Sequence, residues 1–176
     1  SSDLSEGFVA AETHRGSRVS ELSPHEFADL MATRREIERL CLAKAIALGD
    51  AAWEAEIVAA MHILSRAPLP ASPEDREAAA LWEAQHRRFH QALVSACGSD
   101  WLLRFWSVLA DHSERYRKLR LLRRHEAGAE VRNVNSEHIA IMDAVLARDT
   151  DKACRLMDTH LAATETSVLR LLREGT

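Results

Sequence analysis

Cysteine is scarce: Cys41, Cys97 and Cys154 are the only three, far apart and set among apolar residues. An odd, dispersed set excludes a disulfide framework and a thiolate metal site, and reads as small core residues. Glycine (6) and proline (4) are also rare in 176 residues, and with Ala, Leu, Glu and Arg abundant this favours helix throughout. No run of about 18 apolar residues is present to span a membrane, and no charged-then-apolar leader opens the chain. A cytoplasmic protein with no membrane partner is therefore expected. Positive charge is short as well: a net charge of −4 and a pI near 6.1 argue against this segment itself gripping a phosphate backbone.

What is present is enough apolar material, 47% of residues, for one sizeable core and not two. Residues 1–22 stand apart. Glu6-Gly-Phe-Val9 and Arg15-Gly-Ser-Arg-Val19 are β-prone pieces around polar turn material, like a small hairpin. Ser23-Pro24-His25-Glu26 then supplies an N-cap, a first-turn proline and a capping-box glutamate, predicting a long helix that stops near Gly49. A second helix is expected over 51–66, ending at the proline cluster Pro68-Leu-Pro-Ala-Ser-Pro73. Ser72-Pro73-Glu74-Asp75 restarts a helix running to Gly98, Trp101 to Tyr116 mark a fourth, and Gly128 lies in the break after it. Helices near 131–148 and 151–173 complete an all-α antiparallel bundle of about six, residues 23–176, preceded by the short β-hairpin.

Four of the nine histidines fall into two registers. His86 and His90 are i and i+4 on one helix face. His138 and His160 lie 22 positions apart around Asp149-Thr150-Asp151, which reads as a tight turn with Asp149 or Thr150 free to cap the second helix. In an antiparallel hairpin each ring sits about 15 Å from the turn, at 1.5 Å per residue, so the two end at one height. Two helical hairpins bringing His86, His90, His138 and His160 together would form a metal site. The blander reading is four solvated or singly hydrogen-bonded rings. His14, His25, His62, His112 and His125 show no such pairing and read as ordinary surface or helix-face residues.

Arg34 interrupts the apolar stripe of the first long helix. Glu38, at i+4, can pair it internally; alternatively Arg34 presents a bidentate fork to a bound carboxylate. The run from Arg115 through Arg117 to Arg124 reads mainly as a solvated face, with Arg115 or Arg117 within reach of an internal cavity. Residues such as Trp82, Trp106 and Tyr116 would shape that cavity.

Taken together, these motifs resemble the effector-binding domain of GntR-superfamily transcription regulators, FadR subfamily, the all-helical type called FCD. Leu4-Ser-Glu-Gly-Phe-Val9 with Arg15-Gly-Ser-Arg-Val19 looks like the closing wing of that family's winged helix-turn-helix. Arg34-Arg-Glu-Ile-Glu38 is similar to its R-x-x-L-E motif. Phe89-His90, Glu137-His138 and His160-Leu161 match the motifs carrying its metal-binding histidines. The resemblance implies metal ligands His86, His90, His138 and His160, effector contacts at Arg34 and Arg117, and wing contacts to DNA at Arg15, Gly16 and Arg18. One position departs: His86 stands where the family has an aspartate. Exchanging a carboxylate for an imidazole removes a negative charge and softens the site, which favours Zn²⁺, with Ni²⁺ as second fit, over Mn²⁺ or Mg²⁺.

The function these readings imply is a dimeric, ligand-responsive bacterial regulator. A small organic acid, a short dicarboxylate judging from the arginines, would complete the ion's coordination and alter the fit of the dimer to operator DNA. The DNA-reading helices of such a regulator would precede this segment, which alone should bind DNA poorly. Two other readings remain open. In one, a metalloenzyme uses the histidine-bound ion; its only nearby acid or base is Glu137, which as neighbour of His138 should point about 100° away. In the other, a helical interaction module carries scattered, incidental histidines.

Overall fold

A computed structural model describes residues 23–125 and 132–174. They form α1 (Pro24–Leu48), α2 (Ala51–Arg66), α3 (Arg76–Val94), α4 (Asp100–Leu122), a 3₁₀ turn (Arg123–His125), α5 (Val134–Leu146) and α6 (Thr150–Glu174). Among the described residues there is no strand. The expected hairpin, with its wing residues Arg15, Gly16 and Arg18, lies outside the described residues, and so does Gly128.

Polar side chains open the helices where orphan backbone donors need acceptors. Ser23 Oγ accepts from the Glu26 amide at 3.3 Å, with Pro24 in the first turn of α1. Asp50, Ser99 and Asn133 cap α2, α4 and α5 in the same way. At α3 the helix starts later than Ser72-Pro73 suggests. Asp75 accepts from the amides of Ala78 and Ala71, and this two-sided cap fixes the start at Arg76. Just beyond α3, Gly98 has φ +71°, a left-handed conformation that calls for glycine.

α1 is the central element, packing mainly on α6 and α4 and also on α3; α2 lies against α3, and α5 against α6. Its buried face runs Phe27, Met31, Arg34, Glu38, Cys41, Leu42, Ala45 and Ile46, a helical stripe in which one buried cation and one buried anion replace apolar residues. Cys41 and Cys97 are buried and unpaired, as small core residues should be. α4 buries Trp106, Ala110 and Tyr116, and turns Trp101 (65% exposed) and Phe105 (54%) outward.

The hairpin that carries two of the histidines is made by a left-handed residue. Arg148 has φ +56°, and Asp149 then caps α6 through the Lys152 amide at 3.1 Å. Arg148 also donates to the carbonyls of Ile46 (2.7 Å) and Gly49 (2.9 Å), tying this hairpin to the α1–α2 turn. Phe89, fully buried, contacts both the His90 and His138 rings. Burial of such a ring contributes about 1.5–3 kcal/mol, and here it also fixes the spacing of α3 and α5 beside the site.

Candidate metal centre

α3 supplies His86 and His90, α5 His138 and α6 His160, and all four rings are buried. The two registers read from sequence do converge. His90 Nε2 lies 3.3 Å from His138 Nε2, which lies 3.3 Å from His160 Nε2. One donor atom from each of the four rings falls within 4.8 Å of the others. His86 is held by stacking on Trp82, with centroids 4.8 Å apart and planes 18° from parallel. Zn²⁺–nitrogen bonds of about 2.0–2.1 Å at tetrahedral angles separate nitrogens by about 3.3–3.4 Å, so the two 3.3 Å Nε2 separations fit such bonds, and the wider span of the whole set leaves room for a further ligand. The scattered rings of an incidental-histidine module are not what the fold contains.

The electrostatics agree with that fit. Burial, then the charge of neighbouring rings, holds His86, His90 and His138 well below the ordinary histidine pKa. His160 is pushed down to about 4, again by burial first, although Glu137 works in the opposite direction. All four are therefore neutral at pH 7 and can offer lone pairs. Glu137 Oε2 lies 2.7 Å from His160 Nδ1, which fixes the proton on Nδ1 and leaves Nε2 as a lone pair facing its neighbours. Nitrogen lone pairs brought together in a dry interior repel one another, and a cation removes that repulsion.

Glu137 stays outside the group of four donors, as its divergence from His138 implies, but it has a role that its place on α5 alone does not show. Adjacent positions on α5 do diverge, but α6 packs on α5 and brings the His160 ring to the Glu137 carboxylate. Arg132 clamps the arrangement. Its Nε donates to Glu137 Oε1 at 2.6 Å, its Nη1 to Thr164 Oγ1 at 2.9 Å and its Nη2 to the His160 carbonyl at 2.8 Å, with a further ion pair from Nη2 to Glu137. Burial pushes the Glu137 pKa up, but the hydrogen bonds from His160 and Arg132 overcome this and hold it at about 2. Neither Arg132 nor this role of Glu137 was visible in sequence, because both arise from contacts across helices.

Arg34 and Arg117 meet in a buried polar junction beside the histidines. Both donate to Ser113 Oγ. Arg34 Nε lies 3.8 Å from Glu38 Oε2, the internal pair expected at i+4, and Trp106 Nε1 donates to the same Glu38 oxygen at 2.7 Å. Arg117 donates through Nε and Nη2 to Glu83 Oε2 at 3.3 and 3.1 Å, and Glu83 reaches to 4.0 Å from His86 Nδ1. Burial, then Arg117, lowers the Arg34 pKa to about 10, so it stays charged. The junction thus ties α1, α3 and α4 together next to the histidines.

A cavity of about 240 Å³ opens onto His138 from the side of α2, α4 and α6. Its walls include Leu64, Leu69, Trp82, Leu121 and Leu171; its charged lining is Arg120, Arg124, Arg132 and Arg170, with no Asp or Glu. Trp82 is therefore a cavity residue, whereas Trp106 and Tyr116 belong to the core. Arg34 and Arg117 do not line this cavity. The basic run reaches it beyond Arg117, at Arg120 near the end of α4 and at Arg124 in the 3₁₀ turn. His25, His62 and His112 are exposed.

Residues 29–163 match the FCD domain family model. The chain is 36% identical over 158 residues to a Paraburkholderia xenovorans protein named as an uncharacterized HTH-type transcriptional regulator, BphR, covering 90% of this chain and 63% of that protein. It is 34% identical over 158 residues to the HTH-type transcriptional repressor GlaR of Escherichia coli K12, covering 90% and 71%. In fold it is similar to the crystal structure of a GntR family member from Pseudomonas syringae pv. tomato, with TM-score 0.72 and 19% identity over 93% of this chain and 64% of that one. The chain thus spans less than two thirds of the length of two of these proteins. The matched relatives are transcriptional regulators, not enzymes.

Proposed function

The chain belongs to the FCD-domain family, and its matched relatives are HTH-type transcriptional regulators; on that premise we propose that it is the metal-dependent sensor of a ligand-responsive bacterial regulator of GntR type. The observation that carries the reading is the convergence of His86, His90, His138 and His160 with two Nε2–Nε2 separations of 3.3 Å. These four residues hold a divalent ion, Zn²⁺ by donor type and spacing and Ni²⁺ second. A bound ion supplies an electropositive coordination position that a carboxylate can occupy.

The protein's own groups do the rest. Glu137 and Arg132 orient His160, and Trp82 and Phe89 fix the planes of the neighbouring rings. A small organic acid enters the cavity beside His138, whose lining carries positive charge only. Arg34 and Arg117 act through the buried junction, either turning a donor toward the acid or exchanging carboxylate partners when it arrives. Because that junction joins α1, α3 and α4, a shift in it alters helix packing. In a homodimer this changes the separation of two N-terminal DNA-binding modules, in which wing residues Arg15, Gly16 and Arg18 contact operator DNA. A tenfold change in operator affinity requires about 1.4 kcal/mol of coupling, within the reach of one charge-assisted contact.

Thermal-shift screening of zinc-loaded and chelator-treated protein against a panel of organic acids tests the reading. Stabilisation by an acid that disappears with chelator, and in the His138→Ala/His160→Ala double variant, is the expected result. Acid-induced shifts identical with and without metal would overturn metal-dependent sensing.

A further inference from the structure

Arg120, part-buried, is anomalous among the inward-facing cations. Arg34 and Arg117 each face a glutamate, and Arg132 is clamped to Glu137. Arg120 makes no hydrogen bond or ion pair with any described residue, and its Nε is sealed from solvent without a partner. It lines the cavity beside His138, close enough to Arg132 for that charge, after burial, to help push its pKa down to about 10. Glu83 and Glu137 act on Arg120 only through space, with no hydrogen bond or ion pair, and no acid lines the cavity, so a largely buried guanidinium is left without a contacting anion, which is costly.

Most of the remaining lining is of the opposite character, with Asn133, Asn135 and Ser167 as its uncharged polar members. Leu64, Leu69, Trp82, Leu121 and Leu171 present hydrocarbon and an indole face to the same space. Arg124, which donates to the Pro70 carbonyl at 3.4 Å, and Arg170, the two remaining cations, are solvent-exposed. Arg120, the inward cation without a contacting acid, and walls that are mainly apolar define a ligand with one anionic end and a mainly apolar body.

From this we infer that the effector is a carboxylic acid with an apolar body, an aliphatic or aromatic monocarboxylate, whose carboxylate is received by Arg120 beside His138. The inference rests on the sensor reading above and sharpens it. A short dicarboxylate would leave its second charge against leucine side chains, and its desolvation there would offset the gain at Arg120.

Isothermal titration of the zinc-loaded protein with two homologous series, acetate to octanoate and malonate to suberate, separates the possibilities, with phenylacetate and phenylacetamide as an isosteric charge test. Monocarboxylate affinity should rise about fourfold per added CH₂ until the cavity is full, as burial of about 0.8 kcal/mol per CH₂ requires. Phenylacetate should bind, and phenylacetamide at least tenfold more weakly. Arg120→Gln should lower hexanoate affinity tenfold or more while leaving the zinc content at the wild-type level. Tighter binding of short dicarboxylates, or monocarboxylate affinity flat with chain length, would overturn the inference and leave acid sensing intact. If no acid of either series binds, both readings fail. Because the two series are compared on unaltered protein, the result does not depend on the variant folding.

Discussion

Replacing Glu137 by Gln removes the charge that orients His160 while keeping the side chain's size. In the native protein the carboxylate accepts from Nδ1 at 2.7 Å and is itself held by Arg132. The amide of Gln can instead donate to Nδ1, and the imidazole proton then moves to Nε2, the atom that faces His138. That tautomer cannot ligate through Nε2. Loss of an outer carboxylate of this kind costs 10- to 100-fold in metal affinity, about 1.4–2.7 kcal/mol. Because Glu137 is 30% exposed at its side chain, the variant should fold, and helical circular dichroism should match the native protein. Competition for Zn²⁺ against a chromophoric chelator measures the affinity. An affinity within twofold of native would show that Glu137 does not set the ring's protonation, and the reasoning would be wrong.

Other outcomes follow from the same geometry. Chelator-treated protein should lose thermal stability as pH falls from about 6.5 toward 4. The four histidines have folded pKa values below the unfolded one, so their contribution is present above the unfolded value and lost on acidification. A melting temperature flat over that window in the native protein, matching that of His138→Ala/His160→Ala, would refute this. Trp106→Phe strips the indole donor from Glu38, whose other oxygen already has no partner, and urea unfolding should show a loss of about 1.5–3 kcal/mol; less than 0.5 would mean that Glu38 finds another donor. By contrast Asp158→Asn, which breaks the pair with Arg35 between α6 and α1 at two part-exposed side chains, should cost under about 1 kcal/mol in the same assay.

Much of the architecture was legible because helix starts are chemical statements. Ser23-Pro24 marks a cap and first turn in sequence and is one in space, and the same holds for the Asp149 cap. The histidines were legible for a different reason: i, i+4 spacing and symmetry about a turn are one-dimensional shadows of a shared height on packed helices. What sequence could not reveal depends on which helices meet. Glu137 looked misdirected from α5 alone, yet α6 delivers His160 to it. Arg117 and Arg120 sit in one basic run, yet the first ends on Glu83 and the second faces a cavity without an acid. On α4, Trp101 and Trp106 are five residues apart in sequence; only packing decides that the second is core and the first faces outward.

The central claim is a single ion held by histidine nitrogens, and X-ray absorption at the zinc edge of protein loaded with one equivalent tests it most directly. The expected spectrum has a first shell of nitrogen or oxygen at about 2.0–2.1 Å and the outer-shell scattering of several imidazoles, a pattern lost in His138→Ala/His160→Ala. A shell dominated by sulfur near about 2.3 Å, a spectrum of hydrated zinc, or the same spectrum in the double variant would contradict it.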